Sequence, residues 1–337
     1  MNRRSPQIAP CGGRRNLLGF LLAVIALLSS CGEPDPIANP EWVNAAAPKG
    51  RILFVQHGDI YLWHDGRTRR LLDLGDAASP SWAPDGQRFV FVRYGDAYSD
   101  LYVADANGQD VKQLTRNRPL LEPGTEAYVR NCVWAFDPVW MPDNQRIVYV
   151  SDLNALKNFL WIVEGSGGSP QLIQASATLG DNVESPTVAP DGKRIAFSHR
   201  TAANDGLRRR TDIWIVHLDT GQLLPLVQGG DGSYAPAWSP DGAWIAYVAR
   251  HGDANDLFVV PASGGTPVQL TTVGAVAAPT WSPDGRMIAF LRLEGSAFEV
   301  HYVEFAVGLD GQPSASQPKR LFRGEGIDAP SGLSWAP

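Results

Sequence analysis

One short repeated segment constrains the fold of this chain more than any other feature. The segment from Ala278 to Phe290 has the sequence APTWSPDGRMIAF, and four related copies begin at residues 79, 137, 185 and 235. A sixth copy starts at Gly332 and extends to Pro337. Measured at the Trp position, the steps between copies are 58, 48, 50, 43 and 54 residues. A unit that recurs at this spacing predicts a propeller or a solenoid.

Each unit has the residue types of four short strands. In the unit from residue 235, a first strand reaches Trp238, and a Ser-Pro-Asp-Gly turn follows it. Pro presets φ, Asp accepts a local hydrogen bond and Gly tolerates positive φ, which favours a tight turn. The β-branched and aromatic segments 245–248 and 256–260 predict the second and third strands. A Gly-Gly hairpin then leads to a fourth strand at 268–270, so the fold class is predicted to be all-β.

The first and last units are each incomplete. Residues 51–55 have the pattern of a second strand without a first, whereas residues 332–337 supply a first strand without a second. We expect these N- and C-terminal ends to pair and complete one blade. The prediction is a closed six-bladed β-propeller of four-stranded antiparallel blades over residues 50–337, and closure would protect sheet edges.

The repeats resemble the TolB-type PD β-propeller family, in which a Trp, a small residue and Pro-Asp-Gly end the innermost strand. Five copies carry Pro-Asp, four of them followed by Gly and one by Asn144. The resemblance covers residues 50–337 and implies a TolB-like propeller. It implies less about function, because this fold hosts scaffolds, peptide binders, regulatory domains of peptidases and some lyases.

Residues 1–30 have the pattern of a bacterial lipoprotein signal peptide. Four arginines precede an apolar run from Leu17 to Leu28, which is too short to span a bilayer. Leu28-Ser29-Ser30-Cys31 matches the lipobox, which predicts lipidation at Cys31 and attachment to a bacterial membrane on the extracytoplasmic side. The proline-rich residues 31–49 are predicted to be a tether. An ordinary secretory signal with an incidental Cys, or a twin-arginine signal, stays open as an alternative.

Cysteine content and charge narrow the possible partners. Cys132 is the one Cys outside the leader and the lipobox, so an internal disulfide is excluded. Four of the 29 basic residues lie in the leader, which leaves 25 against 35 acidic residues. This acidic excess argues against nucleic acid and against a polybasic contact with anionic lipid. We expect a monomer without cofactor or metal that reaches the membrane through its lipid anchor alone and binds a protein or peptide.

The residues that recur with the repeat are predicted to be structural. The repeated tryptophans are expected to fill the space between neighbouring sheets rather than to stack on a ligand. The repeated aspartates look like a carboxylate cluster, but in front of Gly they are expected to form turns. These residues are Trp82, Trp140, Trp238, Trp281 and Trp335, with Asp85, Asp143, Asp191, Asp241 and Asp284.

The residues that do not repeat form the candidate site. In a propeller, the loops from second to third strand and from fourth strand to the next blade share one face with the channel mouth. Loops on a rigid scaffold commonly hold binding residues, although aromatic residues there can instead fold down as lids. The predicted partner-binding mouth comprises His57, Tyr94, Tyr98, Tyr128, Arg130, Trp134, Phe136, His199, Tyr234 and His251.

Two enzyme hypotheses compete with a binding role. A serine hydrolase is disfavoured because no complete Gly-x-Ser-x-Gly occurs. A metal-assisted polysaccharide lyase, similar to the oligogalacturonate lyases, would need His57, His199 and His251 around one metal, yet they belong to blades 1, 4 and 5. The prediction is therefore a non-enzymatic, lipid-anchored scaffold that captures a protein or peptide at its mouth. A periplasmic small-ligand sensor is the remaining alternative.

Overall fold

The computed structural model describes residues 48–180, 182–202 and 209–337. Within them, six antiparallel sheets form the blades of a propeller, which confirms the predicted fold. The first strands of neighbouring blades contact one another all the way round, so they surround a central channel. From the centre outward, the strands of each blade follow one another as a meander.

Blades 1 to 3 each contain four strands, in order from the centre outward. Blade 1 comprises β25 (Ser334–Ala336), β1 (Arg51–Gln56), β2 (Asp59–His64) and β3 (Arg67–Leu72). Blade 2 comprises β4 (Ala77–Trp82), β5 (Arg88–Tyr94), β6 (Ser99–Asp105) and β7 (Lys112–Gln113). Blade 3 comprises β8 (Ala135–Trp140), β9 (Arg146–Ser151), β10 (Phe159–Glu164) and β11 (Gln171–Leu172).

Blades 4 to 6 follow the same order. Blade 4 comprises β12 (Asn182–Val188), β13 (Arg194–Ala202), β14 (Arg209–His217) and β15 (Leu223–Val227). Blade 5 comprises β16 (Ser233–Trp238), β17 (Trp244–His251), β18 (Ala254–Pro261) and β19 (Val268–Gln269). Blade 6 comprises β20 (Val276–Trp281), β21 (Met287–Glu294), β22 (Ala297–Val307) and β24 (Lys319–Arg323), and the additional strand β23 (Pro313–Ala315) pairs with the far end of β22.

The ring closes by pairing its two ends, as the incomplete repeats predicted. β1 and β25 are antiparallel, with Arg51 opposite Ala336 and Leu53 opposite Ser334. The Arg51 Nε donates to the Pro337 carbonyl at 2.8 Å. The Trp335 indole N–H donates to the Lys49 carbonyl at 2.8 Å, so the chain enters the ring beside its closing strand.

The repeated tryptophans are buried between blades, as predicted. In three blades the guanidinium of an Arg from the preceding blade lies over the Trp ring, at 4.7 Å for Arg51 on Trp82 and for Arg194 on Trp238. Such a contact adds a cation–π attraction to the burial of the indole. All five tryptophans are less than a tenth exposed, namely Trp82, Trp140, Trp238, Trp281 and Trp335.

The repeated aspartates form the turns after the first strands, also as predicted. In each of the five copies that carry Pro-Asp, the Asp carboxylate accepts a hydrogen bond from the backbone N–H two residues later, for example at 2.8 Å from Lys193 to Asp191. The same bond is present at Asp85, Asp143, Asp241 and Asp284. We call the end of the propeller that carries these turns the turn face, and the opposite end the mouth face.

The connections between blades differ in one respect from the predicted pattern of strands and loops. The connections on the mouth face contain helix α1 (Glu126–Arg130), helix α2 (Gln174–Ala177) and a 3-10 turn (Ala329–Ser331), where only loops were expected. Among the described residues, no helix is long and apolar enough to cross a bilayer. The predicted signal peptide, Cys31 and nearly all of the tether lie outside the described residues.

Candidate functional site

The backbone has an unusual conformation at the same repeat position of all six blades. Three residues before the Trp position, the backbone adopts a positive φ of 45° to 51° in blades 2 to 6 and 71° in blade 1. The strand register shifts there by a bulge in blades 2 to 6. A bulge re-aims the side chains beside it, and residues other than Gly seldom adopt this conformation. The residues with this positive φ are Ser79, Asp137, Ser185, Ala235 and Ala278 at the bulges, and Gly332 just before β25.

The residue before each of these positions differs in size between the two halves of the ring. Blades 3, 4 and 5 place Phe136, Glu184 and Tyr234 at this position, and all three are half-buried. Blades 6, 1 and 2 place only Ala277, Ser331 and Ala78 there. The 3-10 turn also contacts inner strands β4 and β20 on that side. The large side chains at this position therefore lie in blades 3 to 5, where Phe136 and Tyr234 also pack against the cores between blades. We call Phe136, Glu184 and Tyr234 the arc.

Stacked aromatic rings extend the arc at blade 3. The Trp134 ring lies parallel to that of Phe136, with centroids 5.9 Å apart, and Tyr94 of blade 2 lies 6.3 Å from Trp134. The Trp134 backbone N–H donates to the Asp152 carboxylate at 2.7 Å, which fixes the segment before β8. Burial raises the pKa of Asp152, and this hydrogen bond only partly offsets it.

Two arginines supply positive charge at blades 4 and 5. Arg200 forms an ion pair with Glu184 at 2.7 Å. Burial raises the pKa of Tyr234, while the nearby Arg250 and Arg200 act in the opposite direction. The phenol packs against Gly232, where a Cβ would lie 2.3 Å from the hydroxyl oxygen, so only Gly fits this position. The arc is thus aromatic at blade 3, and at blades 4 and 5 it is accompanied by the guanidinium groups of Arg200 and Arg250.

Two predicted mouth residues are folded onto neighbouring loops. The His57 backbone N–H donates to the Gly326 carbonyl at 3.3 Å, and a Cβ on Gly326 would lie 2.1 Å from the imidazole. The Tyr98 ring likewise lies against Gly95 in the β5–β6 loop. Both side chains are therefore placed as lids, which is the alternative that the sequence left open for aromatic loop residues.

Two further predicted residues belong to helix α1. Tyr128 is 5% exposed, and the buried Cys132 thiol donates to its carbonyl at 3.3 Å. Tyr128 therefore holds the base of the long connection between blades 2 and 3. Arg130 forms an ion pair with Glu126 at 2.5 Å, and an exposed pair of this kind contributes little to stability.

The three histidines of the lyase hypothesis have separate surroundings. His199 is buried in β13, edge-on to the Trp214 ring at 5.8 Å. His251 lies 3.0 Å from the Asp256 carboxylate in blade 5, whereas His57 lies in blade 1. Across the described ranges, no group of three His, Cys, Asp or Glu side chains is arranged to hold a metal ion. The arrangement that a metal-dependent lyase needs is therefore not formed by these histidines.

A repeated aspartate at the start of the third strand positions the mouth connections. Asp256 accepts hydrogen bonds from the Val273 and Gly274 backbone N–H groups at 2.8 and 3.0 Å. Asp100 accepts one from Asn117 at 2.7 Å in blade 2. Each bond ties a blade to the connection that leaves it, so the mouth loops are fixed at their bases. Glu184 was missed by sequence reasoning, and aligning the residue before each bulge would have found it.

A closed ring of six four-stranded antiparallel blades defines the class of six-bladed β-propeller proteins. Two family profiles match parts of the chain. The "Lipoprotein LpqB beta-propeller domain" matches residues 67–202, and the "Dipeptidyl peptidase IV (DPP IV) N-terminal region" matches residues 189–318.

Individual relatives narrow this class. The Tol-Pal system protein TolB of Francisella tularensis is 25% identical over 64% of this chain and 46% of its own length. The uncharacterized peptidase YuxL of Bacillus subtilis is 37% identical over 27% of this chain and 14% of its own. The chain therefore spans less than half the length of these relatives. The TolB structure from Acinetobacter baumannii superimposes with a TM-score of 0.65 at 19% identity, over 86% of this chain and 67% of that one. The chain is therefore a six-bladed β-propeller that is similar to TolB in sequence and fold.

Proposed function

We propose that this chain is an extracytoplasmic binding propeller that holds a segment of a partner protein or peptide in its mouth, against the arc. The arc carries the proposal, because one repeat position bears large side chains in three consecutive blades and small ones in the other three. Aromatic and arginine side chains are the residue types that most often dominate protein interfaces. The similarity to a Tol-Pal system protein supports a protein partner.

The proposal includes a lipid anchor at Cys31. The Lys49 carbonyl is bound to Trp335 just before β1, and this strand leads from the turn face to the mouth face. A tether from residues 31–49 would therefore join the propeller at the turn face and leave the mouth pointing away. Pro48 follows Cys31 by 17 residues, and a segment of this length reaches roughly 60 Å when fully extended. Cys31→Ser should release the protein from membranes, and unchanged retention with the same mature mass would refute the anchor.

The binding role is tested by measuring the affinity of an isolated partner for variants of the mouth. We expect Trp134→Ala and Tyr234→Ala each to weaken binding by at least about 2 kcal/mol, since loss of an aromatic anchor commonly costs this much. Leu309→Ala is the control, because Leu309 is fully exposed on the turn face. Wild-type affinity in both mouth variants, with weaker binding in the control, would place the interface elsewhere. Tyr128 is a poor test residue because its removal would leave a cavity.

A further inference from the structure

Exposed apolar side chains are concentrated at one part of the mouth face. In the described part of the chain, eight large apolar residues are exposed, and four of them lie on the mouth side of blades 2 and 3. Leu120 and Leu121 lie in the connection between these blades, Leu156 lies in the β9–β10 loop, and Tyr94 ends β5. Leu120 and Leu156 are completely exposed. Scattered single residues of this kind are ordinary, but their concentration on one rim is not.

The first of these loop tips, residues 118–121, follows a well-fixed residue. Asn117 donates from its backbone N–H to Asp100 and from its side chain to the Ser99 carbonyl, both at 2.7 Å. Beyond the tip, Tyr128 of helix α1 is buried. The connection is thus held on both sides of the tip, and Leu120 and Leu121 are presented outward.

The second loop tip, residues 154–157, is fixed in a similar way. The Leu153 N–H donates to the Ser151 hydroxyl at 3.1 Å, and the Leu153 side chain packs against the core. The Ala155 N–H donates to the Asp152 carbonyl at 2.9 Å, which closes a turn. Leu156 therefore projects from a turn whose neighbouring residue is packed inside the molecule.

Basic residues accompany both tips in a chain that is acidic overall. Arg116 and Arg118 are exposed just before Leu120, and neither has an ion-pair partner among the residues that the structure describes. Lys157 directly follows Leu156, but its ammonium donates to the Gly180 carbonyl. The first tip thus combines projecting leucines with two exposed guanidinium groups, and the second tip contributes a projecting leucine. This combination matches a lipid surface, in which acyl chains accept the leucine and phosphates lie at the level of the cation.

We propose that the two tips dip into the surface of an anionic lipid bilayer and hold blades 2 and 3 against it. A bilayer is favoured over a second protein because the leucines are separate projections, and a fluid apolar layer can surround each one. The inference is independent of the lipid anchor. The predicted anchor joins at the turn face, and a tether that reaches roughly 60 Å is long enough for the ring to turn its mouth face back toward the membrane. These tips would then be a second, reversible contact, which departs from the expectation of membrane contact through the anchor alone.

The test is flotation of residues 48–337, which include all six blades and the closing strand pair. Vesicles of equal parts phosphatidylcholine and phosphatidylglycerol are compared with vesicles of phosphatidylcholine alone. We expect binding to the anionic vesicles, reduced at least about tenfold in the triple variant Leu120→Ser, Leu121→Ser, Leu156→Ser. We expect Arg116→Gln with Arg118→Gln to reduce binding several-fold and to weaken its dependence on salt.

Leu309→Ser is the matched control, since Leu309 is equally exposed on the turn face and should be without effect. Unchanged thermal unfolding of every variant would show that the ring is intact. The proposal is overturned if the wild-type fragment does not float with anionic vesicles, if the triple variant floats equally well, or if Leu309→Ser is as damaging as the triple variant.

Discussion

The turn face and the mouth face are built from the same six repeats, yet they differ in regularity. On the turn face, five aspartates make the same hydrogen bond in five consecutive blades. On the mouth face, one connection is the pair His57 and Gly58, whereas another extends over residues 114–134 and includes a helix. The repeated turns of the turn face specify the ring. The connections of the mouth face can therefore differ in length and sequence without disturbing the ring.

Individual carboxylates of the two faces also differ in how their charge is stabilised, although Asp59 on the mouth face has a lowered pKa, as Asp191 does. Burial acts to raise the pKa of Asp191 on the turn face, but hydrogen bonds from Lys193 and Arg194 outweigh it, and the pKa is lowered. Burial raises the pKa of Asp100 and Asp152 on the mouth face, where the hydrogen-bond donors are all neutral and do not outweigh burial. The turn-face carboxylate is thus stabilised as an anion, whereas the two mouth-face carboxylates are not.

The largest effect is expected from breaking ring closure. Deleting residues 331–337 removes β25 and the buried Trp335, so β1 loses its inner neighbour and an edge of β4 is uncovered. A loss of more than about 5 kcal/mol is expected, which is comparable with the whole stability of a typical domain. Thermal unfolding and size-exclusion chromatography would show a destabilised or aggregated protein. Deleting Pro337 alone is the control, and a melting temperature equal to the parent's in the longer deletion would contradict closure.

A pair of tryptophan substitutions sharpens the contrast between the faces. Trp238→Ala should cost about 3–5 kcal/mol, because the indole is buried between blades under Arg194. Trp134→Ala should cost only about 1 kcal/mol, because its ring is half-exposed at the mouth. Chemical denaturation measures both values. Equal losses would mean that Trp134 is as much a part of the scaffold as Trp238.

The smallest expected effect concerns pH. Because its folded-state pKa is lowered, Asp191 stabilises the protein above about pH 4, the usual unfolded value, and this contribution is lost as the pH falls further. Asp191→Asn should therefore cost about 0.5–1 kcal/mol at pH 7 and little near pH 3.

The ionised carboxylate of Asp152 has the opposite effect on stability. Its folded-state pKa is raised, so its ionisation destabilises the protein at neutral pH, and this penalty disappears as the pH falls through the folded-state pKa. Asp152→Asn should be neutral or slightly stabilising at pH 7, since the amide oxygen can still accept from Trp134. Denaturation curves of both variants at pH 7 and pH 3 measure these effects. If Asp152→Asn lowers the free energy of unfolding at pH 7 as much as Asp191→Asn does, the contrast between the two carboxylates is wrong.

The ring was predictable because its signals are local and repeated. A Trp followed by Pro-Asp-Gly fixes the turn, the strand before it and the packing of the indole within a few residues. The mouth was harder to predict because the distances between its residues depend on the conformations of several separate loops. Tyr94, Trp134 and Phe136 do come together, but Tyr128 is buried and His199 lies inside a blade. Nothing in the local sequence of Tyr128 distinguishes a buried ring from an exposed one.

The most direct test of the central claim is a map of partner contacts in cells. A photoreactive phenylalanine derivative would replace Phe136 or Tyr234 in the arc and, as controls, the exposed Val111 or Leu309 on the turn face. The account predicts that illumination links the same partner protein to both arc positions and to neither control. Links at Val111 or Leu309 without links at the arc would contradict it.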